Sequence, residues 1–428
     1  MTYTARPSAA SQPASAPALP RSPDQAPHAG AGDPAARGNG EPAPGGAHAA
    51  VTGSAPAAAT GDAPAAVKPA RKERDPYFDN AKFLAILLVV VGHALGGVLR
   101  SPLAESVYMF IYMFHMPLFI VVTGYFSRNW TFSSGKARKL IATVGVPYVI
   151  FEFAYSGYDW LAGGNELEVT LLDPYYLTWF LCALFLWRLS TPVWQQIRWP
   201  LAVAALFSLL SYMTDLGATL NLHRVIGLLP FYVMGLMLKP QHFELLKKPQ
   251  ARVLGITVLI CGFGVAYLTM NRMARGWVYW DHSFRHFGVD NITGITMRLA
   301  MFACATTLLF AFLTIVPRRK TWFTALGAFT LYAYLLHGFF TKLLSFAGWW
   351  KTDWAASVPG VLALIAGSLV LGTILCTPPV VRSTKWLLEP NTTWVFTKLR
   401  RPNGGRAKRQ AKATPGEGRG TVSAEMGR

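Results

Sequence analysis

Past residue 77 the chain alternates long apolar runs with short polar breaks. Runs long enough to cross a bilayer recur from Phe78 to about Thr377, the pattern of a multi-pass membrane protein. It predicts ten spans, at roughly 79–99, 104–126, 139–159, 175–190, 199–213, 225–238, 252–270, 292–316, 323–345 and 355–377. Two of them, 199–213 and 225–238, are shorter than the ~17 residues a straight crossing needs. They either extend into flanking polar residues or form one re-entrant pair. Either choice leaves the later topology unchanged, because a pair is gained or lost. The predicted fold class is therefore all-α: a polytopic helical bundle of about ten transmembrane helices, with disordered cytoplasmic tails.

The ends read differently. Residues 1–75 are rich in Ala, Pro and Gly, and residues 391–428 are basic. Neither has the apolar content to pack, so both are expected to be disordered tails around a membrane domain at 76–390. Only 14% of the chain is charged, yet Lys and Arg outnumber Asp and Glu by 40 to 21. In a soluble protein that excess suggests nucleic acid; here it falls mostly between spans and in the C-terminal tail. The run Arg71-Lys72-Glu73-Arg74 precedes the first span. Further cations follow at Lys136, Arg138 and Lys139, at Arg188 and Arg198, at Lys239 to Arg252, and at Arg318 to Lys320. The positive-inside rule then places both termini in the cytoplasm of a cell-membrane protein, with no nucleic-acid partner. The four cysteines all fall in predicted spans without a CxxC or Cys/His cluster. They read as small packing residues, with neither a disulfide framework nor a metal site expected.

Ionisable groups at membrane depth are costly and so mark function. Lys82 and His93 lie in the first span, eleven positions apart. About three turns separate them, so they share a face roughly 16 Å apart along the axis. Glu152 in the third span and His337 in the ninth lie at a depth similar to that of His93, and His115 lies midway along the second. Four groups thus converge on one layer, where a His with a nearby carboxylate suits general-base activation of a hydroxyl. The plainer alternatives are interhelical hydrogen bonding by the histidines, a protonated structural Glu152, and a snorkelling Lys82. Asp79 stands three residues before Lys82 and can pair with it.

Lys136, Arg138 and Lys139 cluster at a cytoplasmic mouth, where they either bind donor phosphates or set topology. The outer loop 271–290 carries Arg272, Arg275 and Arg285 among Trp and Tyr residues. It suits a saccharide or an anionic substrate, or else an interfacial aromatic belt. The sequence has no Walker motif and no GxSxG elbow.

The stretch DNAKFLAILLVVVGH, Asp79 to His93, resembles the first-span signature of the acyltransferase 3 family, the multi-pass membrane O-acyltransferases. FHMPLFIVVTGYF (114–126), VPYVIFE (146–152), TWFLCALFLWRL (178–189), LPFYVMGLML (229–238) and LYAYLLHGFF (331–340) resemble later family motifs, in family order. The resemblance covers about residues 77–385, and its first-span wording is similar to the fucose-4-O-acetylase-like branch. It implies ten helices and acyl transfer from a cytoplasmic acyl-CoA, most simply acetyl-CoA, to a hydroxyl of a carbohydrate or glycosylated acceptor. It makes His93 the essential histidine, as general base or acyl carrier, with Glu152 or His337 orienting it or sharing its proton. Lys82 takes the family's Arg/Lys position. The family's basic motif maps loosely onto Lys136 to Lys139, where lysines replace arginines and lose bidentate phosphate recognition. Acceptor contacts are expected from Asp79, Trp179 and Arg285. No permanently bound cofactor is implied. The rival class is a glycoconjugate transporter or flippase that uses the intramembrane His and Lys as a proton relay.

Overall fold

Proline and short polar caps set most of the helix starts, because proline at the first turn gives up only an N–H that would have no helical partner. The computed structural model describes residues 75–392 and 396. The expected tails 1–75 and 391–428 lie outside the described residues except for residues 75, 391, 392 and 396.

Helix α1 (Pro76–Leu95) follows Asp75, whose carboxylate accepts from the Tyr77 N–H. Helix α2 (Pro102–Ser127) returns antiparallel. Then α3 (Ser134–Leu140), a π turn (Ile141–Gly145) and α4 (Val146–Gly163) run on as a single 30-residue span. In the π turn the Val146 N–H reaches back five residues to the Ile141 carbonyl, and Pro147 has no N–H to restore the regular ladder. After a long loop come α5 (Trp179–Trp194) and α6 (Pro200–Ser211), then α7 (Leu222–Gly227) and α8 (Leu229–Met237). Next are α9 (Pro240–Leu246), α10 (Pro249–Thr269), α11 (Asn291–Ile315), α12 (Thr330–Phe346), α13 (Asp353–Ala356), α14 (Val358–Leu375) and α15 (Pro378–Leu388). There is no strand among the described residues.

Among the described residues six helices are long and apolar enough to cross a membrane: α1, α2, the α3–α4 run, α10, α11 and α14. The pair α7–α8, bent by 49°, makes a seventh if it counts as one span. The bend falls at Leu228, and Pro230 cannot donate to the carbonyl four residues back, so the ladder breaks there. Helices also stand at the other expected spans, but α5 has 16 residues, α6 has 12 and α12 has 17.

The core is built on α1, α2 and α8. Alpha-carbon faces meet where Gly124 of α2 touches Gly235 of α8. A Cβ on either glycine would run into a backbone carbonyl of the other helix, Tyr232 O or Val121 O. Small residues that let backbones approach are the usual device where burial of oil against oil gives no driving force. By contrast α10 turns most of its surface outward. Val253, Leu254, Ile260 and Leu268 are exposed, as suits a lipid-facing helix. Cys261 lies on that face and is exposed, unlike the packed Cys182 and Cys376, so it is not the core-packing residue expected of it. Helix α15 tucks Val381 and Leu388 inward and leaves Arg382, Lys385 and Trp386 outward. That amphipathic pattern is one that lies along a membrane surface.

Candidate functional site

The two ends of α1 hold the two groups singled out from sequence, in very different settings. At the start, Asp79 and Lys82 form an ion pair of 2.7 Å. Between them Asn80 is fully buried. Its amide donates to the carbonyls of Pro317 and Arg319, and its oxygen accepts from the hydroxyls of Thr321 and Thr324. One side chain thus stitches α1 to the connection between α11 and α12. Sequence reading passed over Asn80; its place next to Asp79 in an otherwise apolar helix was the available signal.

His93 sits in the last turn of α1. It is half-buried, and neither ring nitrogen has a hydrogen-bond partner among the described residues. Aromatic rings surround it. The His337 ring lies 5.2 Å away between centroids, Tyr176 lies 5.7 Å away at a T-shaped 80°, and Tyr112 lies 6.0 Å away. The row continues from Tyr112 to His115 at 4.7 Å. Three of the four groups expected to converge are therefore brought together as a chain: His337, His93, Tyr112, His115.

The two flanking histidines are oriented alike. His337 Nδ1 bonds the Ala333 carbonyl at 2.8 Å, and His115 Nδ1 bonds the Ile111 carbonyl at 2.9 Å. A carbonyl only accepts, so each Nδ1 carries the proton and each Nε2 is left as an acceptor in the neutral ring. The Nε2 of His337 is buried with no partner. Buried polar atoms without partners are rare enough to need a reason, and proton traffic is one.

Glu152 is buried elsewhere. Its carboxylate accepts from the Tyr175 N–H at 3.0 Å and from the Thr178 hydroxyl at 2.6 Å. The expected pairing of Glu152 with His93 gives way to a His93–His337 contact, while Glu152 braces the turn before α5.

The other expected contacts divide. Trp179 is buried and carries the Arg224 guanidinium over its face at 5.2 Å. Arg224 also bonds the Tyr279 carbonyl, Asn221 and Asp281. Arg224 was not anticipated, because a single arginine in a short amphiphilic stretch carries no pattern. Arg285 is exposed on the loop 271–290. Its neighbour Arg275 is the one tied into the bundle, to Glu105 at 2.8 Å. Among the basic trio, Lys136 closes its own loop on Asn129 and Thr131. Arg138 lies over the Phe396 ring at 4.7 Å, and Lys139 is exposed. Among the described residues no group of three or more His, Cys, Asp or Glu could hold a metal ion.

A half-open histidine with free nitrogens, deep among apolar helices, is an arrangement for moving a proton to or from a hydroxyl. A family model described as an acyltransferase domain matches residues 75–377. Searches of curated proteins and of solved structures gave no match. The match spans α1 to the end of α14, both ends of α1 included. The chain belongs to the acyltransferase 3 family and is a multi-pass membrane acyltransferase of groups other than aminoacyl.

Proposed function

We propose that the protein moves an acyl group, most simply acetyl, from acyl-CoA to a hydroxyl of a carbohydrate or glycosylated acceptor. The observation that carries this reading is His93: half-buried, without a hydrogen-bond partner at either nitrogen among the described residues, and ringed by His337, Tyr112 and Tyr176. A free ring nitrogen takes the proton of the acceptor hydroxyl as its oxygen attacks the thioester carbonyl. The carbon–sulfur bond breaks, and the departing thiolate takes the proton back. The alternative order passes the acyl group through His93 itself.

The donor enters from the cytoplasmic side, near Lys82 and the cations at 136–139, if both termini lie in the cytoplasm of the cell membrane. Its extended arm then has to cover the roughly 16 Å between Lys82 and His93. Ten crossings fit the reading if α5, α6 and α12 cross in a locally thinned or tilted bilayer. Asp79, Trp179 with Arg224, and Arg285 remain the acceptor-side assignments.

The deciding experiment gives purified protein labelled acetyl-CoA together with extracts of the cell's glycosides and glycolipids. Acetyl-CoA consumption with a new acetyl ester on a saccharide is the expected result. Movement of a labelled glycolipid across liposomes, with no acyl-CoA bound or consumed, would replace this reading with a transporter.

A further inference from the structure

Tyr176 stands in the left-handed region at φ 55°, a conformation that a bulky side chain adopts only when its surroundings impose it. The surroundings are visible. On one side the Tyr175 N–H donates to both oxygens of Glu152, and on the other the Thr178 hydroxyl donates to the same carboxylate. Tyr334 donates its hydroxyl to the Leu177 carbonyl. Lys342, ion-paired with Asp159 at 2.7 Å, donates to the Tyr175 hydroxyl. Every residue flanking Tyr176 is thus tied down. The product of this arrangement is one ring: Tyr176 stands edge-on to His93, with its hydroxyl 2.8 Å from the Thr341 hydroxyl one turn beyond His337. Tyr176 and His93 are both half-buried, so each keeps part of its surface accessible.

We propose that Glu152 is a positioning residue that acts through Tyr176. Its carboxylate holds the strained turn, and the turn sets the Tyr176 ring as the wall that limits access to His93. Glu152 then contributes no proton to the transfer. This rests on the reading of His93 as the reacting base or carrier, and it names what shapes the acceptor's approach.

The test is a double-mutant cycle on the full-length protein, using Glu152→Ala, Tyr176→Gly and the pair. Two readouts are needed. The first is the carbethoxylation rate of His93 by diethyl pyrocarbonate, mapped by peptide mass spectrometry, which requires no acyl transfer. The second is acetyl-CoA turnover across pH.

Each single change should speed modification of His93 several-fold, and the double should match the larger single, since two residues of one device are not additive. Turnover should fall by about 10²-fold, the scale of a misplaced site, with its pH profile unmoved. Glu152→Gln should keep much of the activity, because its amide oxygen still accepts. Additive effects, a shifted pH profile in Glu152→Ala, or unchanged His93 reactivity in Tyr176→Gly would overturn the proposal. Tyr176→Gly suits a positive φ and leaves the bonds of Glu152 in place, so it gives an answer even if Glu152→Ala fails to assemble. Absence of acetyl-CoA turnover in the unaltered protein would count against the proposed function alone, because the carbethoxylation cycle would still decide this point.

Discussion

The two ends of α1 put polar side chains into the same apolar helix and treat them oppositely. At the Asn80 end the amide and its oxygen make four hydrogen bonds, and Asp79 neutralises Lys82. At the His93 end the nitrogens of His93 and the Nε2 of His337 have no partner among the described residues. Fully satisfied polar groups hold helices together; those left without partners are free to meet a substrate. The contrast separates Asn80, a structural residue, from His93 within a single helix, and it can be attacked from either end.

The largest effect should come from His93→Ala. Acyl transfer should vanish while thermal unfolding in detergent stays near that of the unaltered protein, because the substitution breaks no hydrogen bond. Transfer retained by the inserted variant would remove His93 from the chemistry. Next is Lys82→Ala, expected to lose most of the turnover, with Lys82→Arg partly active because the charge remains and only its geometry changes. Full activity in Lys82→Ala would reduce the residue to a flanking cation.

Asn80→Ala should behave in the opposite manner to His93→Ala. It strands buried carbonyls and hydroxyls, so a loss of about 1–3 kcal/mol in stability is expected, with turnover per folded molecule nearly unchanged. A variant that stays as stable but turns over slowly would erase the distinction between the two ends. The smallest effect belongs to the tail. Deleting residues 1–70, which include no residue at either end of α1, should leave turnover near normal at matched membrane levels. A large loss would give the tail a docking or regulatory role.

Much of this was legible because periodicity and length survive in sequence. Each predicted span has a helix at its position, since long apolar runs have few other uses. The break at Leu228 was foreshadowed only by the shortness of its run and by Pro230. Helix α15 went unseen because its polar face breaks up the hydrophobic run. At the site, His93, His115 and His337 stood out because ionisable residues in apolar spans are scarce. Tyr112 and Tyr176 did not, being two among 16 tyrosines in an aromatic-rich chain. The partners of Glu152 were not legible for a related reason. Depth along a helix can be counted, but the direction a side chain faces depends on every turn before it.

That direction is set by the π turn at Ile141–Gly145. A regular helix through the same stretch would use one residue fewer, and each residue advances the helix by about 100°. Losing a single residue there would therefore repair the ladder while swinging Glu152 and everything after it around the axis. A length change of one would leave the span apolar, helical and long enough to insert, yet turn its carboxylate away from Tyr175. Here the count of residues, as much as their identity, decides what the helix points at.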